Sequence, residues 1–401
     1  MTSETHNTPP LNGIRVIELA RVLAGPWAGQ MLADLGADVI KVENPNGGDD
    51  TRGWGPPFVE GKDGENLSAA YYHSTNRGKR SIAVDFSTPE GQEIVRQLVA
   101  DADVFIENFK LGGLKKYGLD YDSLKAINPR LVYCSITGFG QNGPYASLAG
   151  YDYIVQGMSG FMSVTGAPDG EPMKAGVAIA DIFTGIYAVT AIQAALIHVM
   201  KTGEGQQVDM ALLDVMSAVL ANQNMNYLVS GAAPVRLGNA HPNISPYEVV
   251  PVADGHLILA VGNDGQFRRL SAILGIEAFA DDPRHATNKA RVANRDSVRA
   301  AVIAETVKWT KADLLAACGE NAVPAGPINS VAEMFADPQI AARGLRIDLE
   351  AEDGTTIPGV RTPIVLSRTP LSYHRPSPAL GEHTGAVLAE LDRRQKERQI
   401  P

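Results

Sequence analysis

Short apolar strands alternate with helices over roughly the first 140 residues, and this alternation constrains the fold more than any other feature. The strand patterns are GIRVIELA, DVIKVE, RSIAVDF, ADVFIENF and PRLVYCSITGF, and helical segments such as TPEGQEIVRQLVADA lie between them. Such alternation predicts parallel strands with crossover helices, the doubly wound, Rossmann-like α/β architecture. Ligands of these sheets bind beyond the carboxyl ends of the strands, so the residues that follow each strand are the first candidates for a site.

The chain of 401 residues is longer than a single hydrophobic core supports, which predicts two domains. We expect a large α/β domain over residues 11–224, a small α+β domain over 225–325, and a C-terminal return to the large domain over 326–401. In the small domain, DG turns are expected at Asp254-Gly255 and Asp264-Gly265. The segment VPAGPINS, rich in Pro and Gly, is interpreted as the linker that returns to the large domain.

Charge and composition exclude some functions. The net charge of −10 argues against a nucleic-acid partner, because phosphate binding needs a dense basic face. The two cysteines, Cys134 and Cys318, are expected to be free thiols. The N-terminus MTSETHNTPP has no export or organelle pattern, which favours a cytoplasmic protein. The uncharged run from Ile182 to Met200 is interpreted as a buried helix of a soluble core, with no membrane partner expected.

A glycine-rich loop resembles a dinucleotide fingerprint. Residues 138–143 read Gly-Phe-Gly-Gln-Asn-Gly and fit G-x-G-x-x-G after a predicted strand. The fingerprint also requires a helix at the last glycine and an acid about 20 residues further on. Pro144 follows instead, and Glu171 lies in another loop. The pattern therefore predicts a tight loop that can approach a ligand closely, and no dinucleotide site.

Asp181 stands immediately before the long apolar run and allows two interpretations. An aspartate before a helix is commonly an N-cap, whose carboxylate accepts a hydrogen bond from the first turn. A helix N-terminus also favours the anion, so we expect the carboxylate to be ionised and available as a nucleophile. The residues alone leave both roles open.

Basic residues lie near two of the predicted strand ends. Arg77, Lys79 and Arg80 precede RSIAVDF, and Asn108, Lys115 and Lys116 follow ADVFIENF. Such groups can bind phosphates or carboxylates, or form a solvated basic face. His241 lies in a loop and is equally compatible with a surface position and a substrate contact. The sequence contains no metal-ligand motif, nucleophile elbow, Walker A loop or kinase signature.

Taken together, the segments resemble the family III CoA-transferases. The resemblance covers almost the whole chain after the first ten residues. Its segments, in chain order, are ELARVLAGPWAGQMLADLGADVIKVE, GDDTRGWGPPF, NRGKRSIAVDF, DVFIENF, SITGFGQNGPYASLAGYD, VAIAD, VPAGPINS and PALGEHT.

The resemblance implies that Asp181 is the nucleophile, passing CoA through mixed anhydrides and an aspartyl-CoA thioester. It also implies no tightly bound cofactor, because acyl-CoA is a substrate, and it implies an interlocked, ring-like homodimer. The implied CoA contacts are Arg21, Leu23, Ala24, Asn76, Lys79, Arg80, Asn108, Phe109, Lys116 and Phe139. The chain departs from formyl-CoA transferases at Asn44 and Thr137, which puts adenine contacts there in doubt.

Two alternatives and a substrate class follow from the same resemblance. Racemases with this fold carry histidine where this chain has Tyr151, so the second base that epimerisation needs is missing. A non-catalytic acyl-CoA-binding protein would lack the nucleophile. The segments look most like the succinyl-CoA–dicarboxylate branch, whose partners are acyl-CoA and small carboxylic acids. Arg52, Tyr151, Arg236 and His241 are the expected substrate contacts.

Overall fold

The computed structural model describes residues 8–398. The chain divides into two compact units. The first unit holds the chain up to Phe161, Ala175–Asn224 and the chain from Ala341 onward, and the second holds Met162–Lys174 and Met225–Ile340.

The strands form four sheets, of which the largest is parallel throughout. In chain order the strands are β1 (Arg15–Glu18), β2 (Asp38–Glu43), β3 (Phe58–Glu60), β4 (Asn66–Ala69), β5 (Arg80–Ala83), β6 (Val104–Glu107), β7 (Val132–Thr137), β8 (Gln206–Ala211), β9 (Tyr247–Val252), β10 (Gly255–Ala260), β11 (Ala325–Pro327), β12 (Arg346–Glu350) and β13 (Thr356–Val360). The six-stranded sheet of the first unit has the order β5-β2-β1-β6-β7-β8. The predicted parallel α/β sheet is thus confirmed, with the strand order of a Rossmann fold. The hairpins β3–β4 and β12–β13 complete the unit.

Helices connect and cover these strands. They are α1 (Ala24–Asp34), α2 (Ala70–His73), α3 (Pro89–Val99), α4 (Tyr121–Ile127), α5 (Asp152–Met158), α6 (Phe161–Val164), α7 (Ile179–Thr202), α8 (Leu212–Ala218), α9 (Asn222–Ser230), α10 (Asp264–Leu274), α11 (Glu277–Asp281), α12 (Asn288–Ala293), α13 (Arg295–Thr306), α14 (Lys311–Glu320), α15 (Val331–Ala336), α16 (Pro338–Ala342) and α17 (Thr384–Arg398).

The central strands of the large sheet are buried on both faces because they are apolar at successive positions, whereas the edge strand β8 is polar and partly exposed. In β1, Val16 packs with residues of α1, α7 and α8, whereas its neighbour Ile17 packs with residues of α3, α4 and α17. Side chains alternate between the two faces of a strand, so a run without polar residues requires helices on both sides.

Helix α7 is the one described helix long and apolar enough to span a membrane by length and composition. Its face at Ala188, Ile192, Ala195 and Val199 is buried in the core beside the sheet. The sequence pattern predicts a buried helix, and the structure buries this face within the first unit.

The second unit has its own sheet and core, and it corrects two local predictions. Asp254-Gly255 joins the β9–β10 hairpin as expected, but Asp264-Gly265 opens α10, because the Asn263 side chain caps that helix on Gln266 N. The segment VPAGPINS is not simply a linker. Its residues Ala325–Pro327 form β11, an edge strand paired with β10, where proline is tolerated.

Candidate active site

A cavity opens where the order of the large sheet reverses. Strand β1 lies between β2 and β6, so the chain segments that leave β1 and β6 diverge to opposite sides of the sheet. Asn108, after β6, accepts a hydrogen bond from Arg21 N (3.0 Å) and donates one to Arg21 O (2.7 Å). This pair of bonds joins the two loops. The cavity beside them has a volume of about 760 Å³, within the range of small-molecule sites.

The structure brings together many of the predicted site residues around this cavity. Those that line it are Arg21, Leu23, Ala24, Asn108, Phe109, Lys116, Tyr151 and Asp181. Lys110 and Asp152, which the sequence analysis did not select, line it as well. Cationic side chains and the Asp181 carboxylate therefore share one cavity.

The loop between β1 and α1 has a strained backbone at the cavity. Val22 has φ +71°, a left-handed conformation that is unfavourable for a β-branched side chain. Asp49 holds it there, because its carboxylate accepts a hydrogen bond from Val22 N at 3.2 Å. Helix α1 begins two residues later without a side-chain cap, so its first N–H groups are suited to an anionic ligand. Strain of this kind is typical of functional loops.

A buried network of charged side chains holds the β1–α1 loop in place. Lys41 Nζ lies 3.0 Å from Glu18 and 2.9 Å from Asp49, and it donates to Ala20 O at 2.8 Å. Lys79 Nζ lies 2.9 Å from Glu18 and donates to Pro26 O at 2.9 Å. Lys41 thus binds the backbone at the start of the loop, and Lys79 binds it at Pro26 in the first turn of α1. Asp49 binds Val22 between these two points.

The burial of Lys79 changes the interpretation of the NRGKR segment. Burial lowers the pKa of Lys79 to about 8, against the opposing effect of Glu18. Asn76, fully buried, accepts a hydrogen bond from Lys79 at 2.9 Å. The predicted direct CoA contacts of Asn76 and Lys79 must therefore be revised, because both side chains are occupied in the interior. Gly29 makes room for this network, since a Cβ there would lie 1.8 Å from the Glu18 carboxylate.

Two predicted arginine contacts also require correction. Arg80 lies at the start of β5 and pairs with Asp38 (2.6 Å) and Glu390 (2.8 Å), at the amino end of the sheet rather than the cavity end. Arg52 is buried, pairs with Glu43 at 2.6 Å and stacks over the Tyr72 ring at 3.8 Å. Both guanidinium groups are saturated by protein partners, which leaves them poorly suited to a substrate carboxylate.

The glycine-rich loop after β7 continues as coil, as expected, and the next element of the chain is helix α5, which begins at Asp152. Phe139 does not line the cavity directly but packs edge-to-face on Tyr145 at 5.7 Å. Gly138 approaches Gly150 so closely that a Cβ would lie 2.4 Å from the Gly150 Cα. The loop therefore supports the segment that carries Tyr151, and Phe139 contributes through that packing.

Arg236 and His241 belong to the second unit. The Arg236 guanidinium donates to Ala167 O at 3.1 Å and to Gly170 O at 3.0 Å. The ring of His241 lies 5.2 Å from that of Tyr247, and burial followed by the Arg295 charge lowers its pKa. Their substrate contacts stay predictions.

Asp181 is not the N-cap of α7. It is the third helical residue, and Ala178 precedes the helix without a side-chain cap. The cap comes from Asp152, whose Oδ2 accepts hydrogen bonds from Ala180 N (2.7 Å) and Asp181 N (3.4 Å). Burial, and then the Asp152 charge, raise the pKa of Asp181 to about 7. Desolvation and a like charge thus oppose the helix dipole at Asp181 and make the carboxylate harder to ionise than the helix N-terminus alone would predict.

Close helix packing brings Asp181 towards the β1–α1 loop. A Cβ at Gly185, one turn after Asp181, would lie 2.8 Å from Ala24 O and 3.0 Å from the Trp27 ring. Only glycine allows α7 and α1 to approach this closely. Tyr71 also lies within electrostatic reach, since burial and then the Asp181 charge raise its pKa. A carboxylate with a raised pKa in a lined cavity fits a nucleophile or an acid–base group.

We expect Asp181→Asn to stabilise the protein in a pH-dependent way. Folding raises the pKa of this carboxyl group, so the stability that the group contributes to the protein at low pH is lost as the pH rises from about 4 to about 7. Asparagine does not titrate. The free energy of unfolding of Asp181→Asn should therefore exceed that of the wild type by an amount that grows over this window, to about 1–3 kcal/mol at about pH 8. Urea unfolding at about pH 5 and about pH 8 measures the difference. The exposed Asp281→Asn is the control, and a pH-independent difference would refute the assignment.

Comparisons with known proteins agree with this geometry. Residues 11–384 match the model of CoA-transferase family III. The chain is 77% identical over 392 residues to a succinate–glutarate CoA-transferase of Agrobacterium fabrum, covering 98% of both chains. It is 41% identical to a succinyl-CoA:glutarate CoA-transferase of Homo sapiens, covering 97% of this chain and 87% of that protein. A crystal structure of a CAIB/BAIF family protein from Brucella suis is 62% identical, with a TM-score of 0.86, covering 96% of this chain and 100% of that one.

Proposed function

The chain belongs to CoA-transferase family III, and on that premise we propose that it transfers CoA from succinyl-CoA to a dicarboxylic acid through Asp181. The observation that carries the proposal is a carboxylate with a raised pKa in a cavity that also holds cationic side chains. The similarity to a succinate–glutarate CoA-transferase supports succinyl-CoA as donor and glutarate as acceptor.

A carboxylate nucleophile suits this reaction because it can become an acyl acceptor of the same type as the substrate. An oxygen of Asp181 attacks the donor thioester carbon, CoA leaves as thiolate, and a mixed anhydride remains. The thiolate then attacks the Asp181 carbonyl carbon, and the donor acid leaves with the bridging oxygen, which produces an aspartyl-CoA thioester. The acceptor acid reverses these two steps, takes the CoA, and regenerates the Asp181 carboxylate.

The charges in the cavity fit the phosphates of CoA. Arg21, Lys110 and Lys116 line it, and Lys116 lies 4.6 Å from the Tyr117 ring centroid, which limits its positions. The uncapped N-terminus of α1 offers further N–H donors. We propose that these groups hold CoA so that its thioester lies beside Asp181. Asn108 and Phe109 act mainly by shaping the loop.

Tyr151 favours transfer over racemisation. Its side chain is 69% exposed and lines the cavity at the place where racemases of this fold carry histidine. A phenol does not supply the imidazole base that epimerisation needs on the second face of the substrate. Tyr151 is a proposed contact of the acceptor acid in this cavity, whereas Arg236 and His241 stay predicted substrate contacts of the second unit.

We also propose that the protein acts in the cytoplasm as a homodimer. The outer face of α7 exposes large apolar side chains, with Ile186, Tyr187, Ile197 and Met200 between 38% and 70% exposed. A contiguous apolar face of this kind is typical of a protein–protein interface. An interlocked arrangement of two copies would cover it.

We expect purified protein incubated with succinyl-CoA to produce glutaryl-CoA when glutarate is added. A panel of oxalate, malonate, glutarate and adipate would be compared, with acyl-CoA products measured by mass spectrometry. We expect glutarate to exceed oxalate by about tenfold or more in kcat/KM, because a shorter diacid leaves the donors for the far carboxylate unpaired. Scrambling of a chiral 2-methylacyl-CoA without any acyl exchange would overturn the proposal.

A further inference from the structure

Asp152 is joined to the first turn of α7 by a built network. It is the first residue of α5 and lines the cavity. Its Oδ2 accepts the N–H groups of Ala180 and Asp181, and its Oδ1 accepts a hydrogen bond from Gln156 Nε2 at 2.7 Å. Gln156 is fully buried and accepts a hydrogen bond from Ala175 N at 2.9 Å. The Asp152 carboxylate is therefore fixed beside the nucleophile.

We propose that Asp152 is a positioning residue that holds Asp181 in place and, through its charge, biases Asp181 towards the acylated state. This inference rests on the proposed function. The acid is not needed as a cap alone, because asparagine, serine or threonine would accept the first-turn N–H groups without adding a second negative charge. The position thus carries a charge where a neutral cap would suffice.

The charge acts on the equilibrium of the covalent step. Ionised Asp181 is desolvated and repelled by Asp152, whereas its anhydride and thioester are neutral. When the aspartyl-CoA thioester forms, the negative charge leaves Asp181 with the released donor acid. Repulsion from Asp152 therefore favours the thioester over the free carboxylate. The same repulsion makes Asp181 more basic and so a stronger nucleophile.

Other charged and titratable groups around Asp181 do not replace this effect. Tyr71 lies within its electrostatic reach but is neutral at physiological pH, since burial and then the Asp181 and Asp152 charges raise its pKa. Arg21 and Asp50 line the same cavity and pair with each other at 3.0 Å. Lys110 and Lys116, the remaining lysines that line the cavity, are exposed to solvent and hence screened. Asp152 is the fixed charge that contacts the nucleophile's own backbone.

The test compares Asp152→Asn with Asp103→Asn. Asparagine at 152 can still accept the Ala180 N–H bond, but it removes the charge together with the acceptor for Gln156 Nε2. Asp103 accepts a backbone hydrogen bond from Arg15 N at 2.8 Å at the amino end of the sheet, so its substitution is a matched control away from the cavity. In the pH profile of kcat/KM, we expect the apparent pKa on the acidic side to fall by about one unit in Asp152→Asn. The same apparent pKa should stay unchanged in Asp103→Asn.

The covalent intermediate gives a second readout. With succinyl-CoA and succinate at fixed concentrations, we expect Asp152→Asn to hold about tenfold less aspartyl-CoA thioester relative to free enzyme, because one pKa unit corresponds to a factor of ten. A uniform fall in kcat with an unshifted apparent pKa on the acidic side and an unchanged thioester ratio would indicate a structural role only and overturn the inference.

A direct titration separates this inference from the proposed function. The Asp181 carboxyl would be followed by ¹³C NMR in protein labelled at the aspartate side-chain carbon, with the signal assigned by its loss in Asp181→Asn. We expect a lower pKa in Asp152→Asn than in the wild type whether or not acyl transfer is detected. An unchanged pKa overturns the role of Asp152, whereas absence of transfer in the wild type overturns only the proposed function.

Discussion

Asp181→Ala is expected to lower kcat for CoA transfer by more than about a thousandfold, because it removes the atom that forms the covalent bond. Asp181 lines the cavity with the cationic side chains, and its carboxylate has a raised pKa. Asp152, which contacts its backbone, is itself bound to the first turn of α7 and cannot reach the same position without unwinding it. No other described residue therefore substitutes for the nucleophile at that place in α7.

The matched variant is Asp181→Asn, which keeps the size of the side chain and removes the nucleophilic oxygen anion. Both variants should bind CoA with nearly wild-type affinity, since the proposed phosphate contacts lie on other segments. Activity would be measured by the appearance of glutaryl-CoA, and affinity by calorimetry with CoA. Retention of more than about a tenth of the wild-type kcat in Asp181→Ala would exclude covalent catalysis by this residue.

Lys41→Met is expected to reduce the free energy of unfolding by about 3–5 kcal/mol, because it leaves the buried Asp49 carboxylate without its cation and Glu18 with Lys79 alone. Lys41 is 1% exposed and pairs with both Glu18 and Asp49. The Asp49 carboxylate, whose pKa is held down to about 2 against burial by Lys41 and by hydrogen bonds from Thr51, would then be poorly compensated. The change should also release Val22 from its strained conformation, since Asp49 holds it.

The control for this variant is Lys125→Met, which removes an exposed lysine that lies 5.5 Å from the Tyr121 ring centroid. It should change the stability by no more than about 0.5 kcal/mol. Urea unfolding followed by circular dichroism gives both values. A loss of less than about 1 kcal/mol in Lys41→Met would show that the ion network is not needed to hold the loop.

The large sheet could be predicted because its information is local. Five strands of this sheet, β1, β2, β5, β6 and β7, are short apolar runs, and their alternation with helices dictates parallel pairing. The position of the cavity followed from the same rule, since the residues after β1 and β6 meet where the strand order reverses. Asn108 was selected because it follows a predicted strand, and Arg21 because of the resemblance to the family; the two residues lie together in the structure.

The charged residues were harder to interpret because their partners are distant in sequence. Lys79 resembles a ligand-binding cation, but its partner Glu18 lies 61 residues earlier, inside an apolar strand. Arg80 pairs with Glu390 across 310 residues. A buried ion pair and a phosphate contact look alike in a local pattern, and only tertiary structure distinguishes them.

The same limit explains the error at α7. An aspartate before an apolar run fits an N-cap, yet the cap is supplied by Asp152, which lies 29 residues before Asp181. Nothing near Asp181 indicates that a second acid would raise its pKa. Local turn signals also failed where a tertiary partner decides: Ala325–Pro327 becomes a strand because β10 offers an edge for pairing.

The most direct test of covalent transfer is mass spectrometry of the enzyme after mixing with succinyl-CoA. A brief incubation without acceptor acid, followed by acid quenching and peptide mapping, would locate any adduct. We predict a CoA thioester on the peptide that contains Asp181, absent in Asp181→Asn and discharged when glutarate is added before the quench. Glutaryl-CoA formation with no adduct on that peptide, or with an adduct on another residue, would contradict the account.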